Sequence, residues 1–190
     1  DSTLILNDGT IANNIGISNG AGVFNRGTFN MNGGTIEGNI CVSLADNIYK
    51  GYGDGVMNEA GAVFTMTDGY IGVIHNDLVQ DDTCRGLYNK GTFTMTGGEI
   101  FASSDDMSSC YGLSNSSVYS ADGTETSSAV ANIGGSAVIT GQCGYKPFAV
   151  NGTGTVNVGG NAVLTAKNVN DCKDNRSRTI YLSRGTINVS

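Results

Sequence analysis

Residues 22–36 read GVFNRGTFNMNGGTI, and residues 86–100 read GLYNKGTFTMTGGEI. A third copy, Val56 to Ile71, reads VMNEAGAVFTMTDGYI, with a small insertion after Asn58. A phrase that returns at a fixed, short period describes stacked repeats, each of which buries its apolar face only against its neighbours. Fainter copies occupy the rest of the chain: LILNDGTI from Leu4 to Ile11, NIGGSAVI from Asn132 to Ile139, NVGGNAVL from Asn157 to Leu164, and a partial copy from Ile180 to Ser190. The glycine step falls at Asp8-Gly9, Gly33-Gly34, Asp68-Gly69, Gly97-Gly98, Gly134-Gly135 and Gly159-Gly160, at intervals of 25, 35, 29, 37 and 25 residues. The short intervals fit one turn of a solenoid; the long ones require inserted loops.

Each part of the phrase has a physical reading. Thr92-Phe93-Thr94-Met95-Thr96 alternates polar and apolar residues, the signature of a strand with one buried face. Phe93 and Met95 are expected inside, as are Phe29, Met31, Phe64 and Met66, with the threonines outside. The paired glycines follow where the chain must turn sharply. A second strand is expected around Ile11, Ile36, Ile71, Ile100, Val138 and Val163, and a third at Val23-Phe24-Asn25 and Leu87-Tyr88-Asn89. Three short strands per repeat predict an all-β protein, a single-stranded parallel β-helix of about six to seven coils with loop insertions along one edge. Residues 1–190 are expected to form a single β-helix domain with uncapped ends, a segment or a protomer.

With 29 Gly, one Pro and no Trp, the composition suits tight corners joined by short strands. The regular Phe, Met, Ile and Val positions argue against a disordered low-complexity chain. A net charge of −7 speaks against nucleic acid or an anionic membrane as partner. No apolar run approaches the roughly 20 residues of a membrane span.

The phrase N-[RK]-G-T-F-x-M-x-G-G-x-I resembles the repeats of bacterial surface proteins built on a right-handed parallel β-helix, the adhesin-like, autotransporter-passenger-like and pectin-lyase-like groups. The likeness is best at residues 22–39, 56–71 and 86–101, and weaker at 129–141 and 148–166. It implies an extracellular or cell-surface location and right-handed winding, the hand that crossovers between parallel strands generally prefer. It extends to adhesins, polysaccharide lyases and structural proteins alike, so it bears on fold more than on activity.

Cys41, Cys84, Cys110, Cys143 and Cys172 fall about once per repeat, between the second and third strands. Strands about 4.8 Å apart are close enough for disulfides, whose Cα atoms lie about 4.4–6.8 Å apart. Cys41–Cys84 and Cys110–Cys143 are feasible bridges, and the odd cysteine is left free or links chains. No Cys/His spacing typical of structural zinc occurs.

The lone histidine, His75, has no partner motif for a catalytic triad and is expected as a solvated loop residue. Asp54, Asp81, Asp82, Asp105 and Asp106 belong to the inserted segments. No cofactor is required, although Asp81, Asp82, Asp105 and Asp106 could offer the hard oxygens that calcium takes. Tyr49, Tyr52, Tyr111, Tyr119 and Tyr145 accompany the same segments, where tyrosines beside carboxylates could form a sugar- or protein-binding platform. Ala102 to Ser128 reads as the longest insertion, and Arg26, Lys90 and Arg184 as solvated corner residues. Asn115, Asn151, Asn175 and Asn188 match the N-x-[ST] glycosylation pattern.

The expectation is a non-enzymatic, adhesin-like surface protein. Its loop edge, carrying Tyr49, Tyr52, Asp81, Asp82, Asp105, Asp106, Tyr111 and Tyr119, would meet a host or matrix glycan or protein. A protomer stacking end to end into a filament is the structural alternative, and a polysaccharide lyase or glycoside hydrolase the enzymatic one.

Overall fold

The computed structural model describes residues 2–17, 19–41, 52–75, 83–104, 109–169 and 177–190. Among them there is no helix, and the chain runs through three parallel sheets in turn, as in a parallel β-solenoid. The first sheet stacks Thr3–Leu6, Thr28–Met31, Val63–Met66, Thr92–Met95, Val130–Ile133, Thr155–Val158 and Ile187–Val189. The second stacks Thr10–Ala12, Thr35–Glu37, Tyr70–His75, Glu99–Ser104, Val138–Cys143 and Val163–Asn168. The third stacks Val23–Asn25, Val56–Asn58, Cys84–Asn89, Ser109–Asn115, Lys146–Gly152 and Arg178–Leu182.

Register places like on like. Phe29, Phe64 and Phe93 are successive partners in the first sheet, with ring centres 4.6 and 5.0 Å apart. Met31, Met66 and Met95 stack beside them, and all six side chains are fully buried, as their alternation predicts. The second sheet contributes Ile36, Ile71, Ile100 and Ile139, and the third Val23, Val56, Leu87, Leu113 and Val150, to the same core. The glycine step behaves as expected: Gly9, Gly34, Gly69, Gly98, Gly135 and Gly160 all have φ between 57° and 103°, a backbone region that costs other residues.

A second glycine row has a different cause. Gly22, Gly55, Gly86 and Gly112 precede the inward residue of the first four third-sheet strands. A Cβ on any of them would come within 2.8 Å of the Cγ2 of Ile36, Ile71, Ile100 or Ile139 in turn. The second and third sheets therefore close on each other by isoleucine against bare backbone.

Two expectations about strands are corrected. Ile100 pairs with Ile139 and then Leu164, not with Val138 and Val163. The Gly134-Gly135-Ser136-Ala137 turn is longer than Gly97-Gly98-Glu99, and a one-residue slip moves a side chain to the opposite face; Val163 is 52% exposed. Nor is Ala102–Ser128 one long insertion, because Ser109–Asn115 is a full third-sheet strand. The true departure from the repeat there is a small antiparallel pair, Val118–Tyr119 with Glu125–Ser127.

Candidate ligand-binding face

The outer side of the third sheet carries the unusual chemistry. In Cys84–Asn89 the alternation is interrupted at Gly86, so Arg85 and Tyr88 on either side of it are half-exposed while Leu87 and Asn89 are buried. In register, Arg85 adjoins Tyr111, Tyr111 adjoins Phe148, and Phe148 adjoins Arg178. The Arg85 guanidinium carbon lies 4.6, 5.6 and 5.6 Å from the ring centres of Tyr52, Tyr88 and Tyr111. Tyr111 and Phe148 are 5.3 Å apart, and Phe148 and Tyr181 5.8 Å. The result is a row of rings across five successive repeats of the third sheet, bridged in its middle by the Arg85 guanidinium, with Phe148 itself buried.

Other cations join it. Lys146 lies 4.4 Å from the Tyr145 ring centre, Arg178 4.8 Å from Tyr181, Lys90 5.4 Å from Tyr88, and Arg26 4.8 Å from Phe24. Arg184 lies 5.1 Å from Tyr119 in the antiparallel pair. Arg26 and Arg184 are exposed, as expected of solvated corners, and with half-buried Lys90 each stands over a ring. Cation–π attraction of this kind is worth about 0.5–1 kcal/mol at exposed sites and about 2 when desolvated, so it fixes where the charges stand. Among the described residues Lys146 and Arg178 have no carboxylate partner, and the ion pairs are Lys90–Glu59 and His75–Asp54.

Tyr111, Lys146, Phe148, Asn151, Arg178 and Tyr181 line a groove of about 220 Å³ at one end of the strip. A larger depression, about 380 Å³, runs along Thr94, Asn132, Asn157 and Asn188 on the first sheet. There Asn188 donates to Asn157, Asn157 to Asn132, and Asn132 to Thr94, at 2.7, 2.7 and 3.4 Å. Those amides are occupied with one another, whereas the third-sheet groove presents rings and two cations with no carboxylate partner among the described residues. The smaller groove is the better ligand site.

The sequence-predicted residues divide. Tyr52 and Tyr111 come together around Arg85, and Tyr119 lies apart, donating to Glu125 Oε2 and the Thr153 carbonyl at 3.3 and 3.4 Å. Tyr49, Asp81, Asp82, Asp105, Asp106 and Cys172 lie outside the described residues. Tyr52 and Tyr111 lie against the Arg85 guanidinium, and the carboxylates expected beside them fall outside the described residues. Among the described residues no group of three or more His, Cys, Asp or Glu side chains could hold a metal ion.

Asp54 and His75 are corrected outright, since both are buried. Asp54 Oδ1 accepts from the Cys41 N–H at 2.8 Å and Oδ2 from the Arg85 N–H at 2.9 Å, and His75 Nε2 lies 3.4 Å from Oδ1. A carboxylate is tolerated inside only with such partners. Here it joins the end of Ile40–Cys41 to the start of the strand that carries Arg85.

An interior ladder went unread in the sequence. Asn25, Asn58, Asn89 and Asn115 end successive third-sheet strands and point inward; each amide nitrogen donates to the next amide oxygen at 2.7 Å. The signal was there, in Gly-Val-Phe-Asn, Gly-Val-Met-Asn, Gly-Leu-Tyr-Asn and Gly-Leu-Ser-Asn. Asn115 is fully buried in this ladder and so is no glycan acceptor in the folded chain. Cys84, Cys110 and Cys143 are buried free thiols, and Cys41 is likewise buried, at strand ends near the corner of the second and third sheets.

No protein-family model matches the chain, and neither a curated protein nor a solved structure matches it.

Proposed function

We propose that this chain is a non-enzymatic, adhesin-like surface protein, wound as a right-handed parallel β-helix and displayed outside the cell. It binds a glycan along the outer face of the third sheet. The observation that carries this reading is the strip Tyr52–Arg85–Tyr111–Phe148–Tyr181 with Lys146 and Arg178 beside it. Aromatic faces take the C–H-rich faces of sugar rings, and rings held by packed neighbours lose little entropy on binding. Lys146 and Arg178 favour sugars that carry acid groups, against the chain's overall net charge of −7. An open row of rings running along successive strands suits an extended polymer better than a small enclosed substrate.

Calorimetric titration with neutral and acid-bearing oligosaccharides tests it. The acid-bearing series binds, and Tyr111→Ala weakens it at least about tenfold, equivalent to about 1.4 kcal/mol. Unchanged affinity in Tyr111→Ala removes the strip from the binding reaction. Cleavage of any of these sugars overturns the non-enzymatic reading, and binding of protein ligands alone overturns the glycan.

A further inference from the structure

Three buried thiols meet at the corner where the second and third sheets join. Cys84 and Cys110 are register partners in adjacent parallel strands, and Cys143 ends the second-sheet strand of the next repeat. The three form an apolar cluster with Val73 and Ala102, apart from the main core. Cys110 stands in the middle, its thiol hydrogen-bonded to both Cys143 and Cys84. Cys84 Sγ also faces the carbonyls of Ser103 and Val73 at 3.4 and 3.8 Å. Cys41 lies outside this group, its Sγ 3.9 Å from the carbonyls of Tyr52 and Gly53.

We propose that this cluster is a site of oxidative cross-linking in which Cys110 is the obligatory partner: it forms a disulfide with Cys143 that staples neighbouring repeats, and Cys84 stands ready to take the place of Cys143. This goes beyond ligand binding and stands or falls independently of it. Directly opposed residues on parallel strands are about 4.8 Å apart, inside the Cα separation a disulfide spans, about 4.4–6.8 Å. The Cys84–Cys110 bridge therefore joins neighbouring repeats without moving a strand out of its sheet, while Cys143, on the second sheet, meets Cys110 across the corner, thiol against thiol.

The electronic environment assigns the roles. The hydrogen bond from Cys110, helped by backbone N–H groups, holds the Cys143 thiol down at about 7 against the opposing effect of burial. Burial, followed by its bonds to Cys143 and Cys84, pushes the Cys110 thiol well up. Cys143 is thus the more readily ionised of the two thiols and the first nucleophile. It attacks one sulfur of an external disulfide and releases one thiol. Cys110 then gives up its proton and attacks Cys143 Sγ in the mixed disulfide, releasing the second thiol. Two cysteine thiols and one disulfide become one intrachain disulfide and two thiols; two electrons and two protons pass to the oxidant. Because all three sulfurs are buried once the corner has packed, the external disulfide meets Cys143 while the corner is closing, after Cys110 has come beside it. Attack by Cys84 on Cys110 Sγ would break the first bond and expel Cys143, the better leaving group because of its lower pKa.

The test uses the full chain with Cys41 and Cys172 changed to Ser, refolded with oxidised glutathione, denatured without reduction, alkylated and mapped by peptide mass. Cys110 is expected in a cross-link in nearly every molecule, and Cys110→Ser abolishes cross-linking within the cluster. Cys143→Ser shifts the bond to Cys84–Cys110, and Cys84→Ser leaves Cys110–Cys143. Alkylated Cys110 in the oxidised protein overturns the proposal, as does a Cys84–Cys143 bond in Cys110→Ser. Serine is close to isosteric, and each variant's sheet content is checked by far-ultraviolet circular dichroism, so a variant that fails to fold is recognised. The mapping of the Cys41/Cys172 double variant itself then decides.

Discussion

Two asparagine ladders run along this molecule with the same bond and different surroundings. The inner one, Asn25–Asn58–Asn89–Asn115, is buried, with amide-to-amide distances of 2.7 Å. The outer one, Asn132–Asn157–Asn188 on the first sheet, has the same 2.7 Å distances but runs from a half-buried stretch to an exposed end. Bond length therefore does not distinguish them; the alternative available to each amide does. An outer amide that loses its neighbour turns to water, at little net cost. An inner amide that loses its neighbour has nothing, and an orphaned buried group costs about 1–3 kcal/mol. The inner ladder also holds the corner between sheets: Asn89 Nδ2 reaches the carbonyls of Gly91 and Val130 at 3.0 and 3.1 Å, as well as Asn115. One ladder closes the fold, while the other fills the outward positions of a sheet.

Breaking the inner ladder at its middle should therefore have the largest effect. Asn89→Ala strands the Asn115 side-chain oxygen and removes the acceptor of Asn58 Nδ2, while the Gly91 carbonyl keeps the Val130 N–H, and is expected to cost about 2–4 kcal/mol. Urea denaturation followed by circular dichroism measures this as a fall in midpoint. A loss below about 0.5 kcal/mol would mean that the ladder is redundant with the sheets and that the contrast is empty.

How much of this was legible follows from the range of the physics involved. The Phe29/Phe64/Phe93 stripe, the paired strand residues Met31, Met66 and Met95, and the positive-φ step at Gly34 or Gly98 were readable because alternation and backbone sterics are local. The inner ladder was not read, because its partners are 26 to 33 residues apart and become neighbours only when register is known. The same gap displaced Val138 and Val163 from their true places beside Glu99, since a period of two offers no tolerance for one extra residue. It also hid Ser109–Asn115 inside a presumed insertion. At the candidate site Tyr52 and Tyr111 were legible as residues, but their partner was not. Arg85 lies 33 residues after Tyr52 and 26 before Tyr111 in the sequence, and stacks between them only through the pairing of the third sheet.

The outer ladder sharpens the comparison from the other side. Asn157 accepts from Asn188 and donates to Asn132, each at 2.7 Å, so Asn157→Ala breaks as many amide-to-amide bonds as Asn89→Ala. The expected loss is no more than about 1 kcal/mol, because water replaces what is removed. The same urea titration, run beside the Asn89 variant, compares the two ladders directly. Equal losses would show that regular stacking, and not burial, sets the value of an asparagine ladder.

The smallest effect belongs to hydrogen bonds with no burial at all. In the turn between Val118–Tyr119 and Glu125–Ser127, the Asp122 carboxylate accepts from Ser120 Oγ and from the Thr124 N–H. These bonds, Ser120's first, hold its pKa at about 2, below the ordinary 3.8. A depressed carboxylate stabilises its turn fully above the unfolded value and loses that contribution as pH falls through the folded one. The turn should thus be intact at pH 5 and loosen between about pH 4 and pH 2, without unfolding the three sheets. The carboxyl carbon shift of Asp122, followed by nuclear magnetic resonance, should titrate near 2 and move towards 3.8 in Ser120→Ala. A wild-type midpoint near 3.8 would mean that the exposed bonds exchange freely with water, and the series from buried ladder to half-exposed ladder to exposed turn would lose its last step.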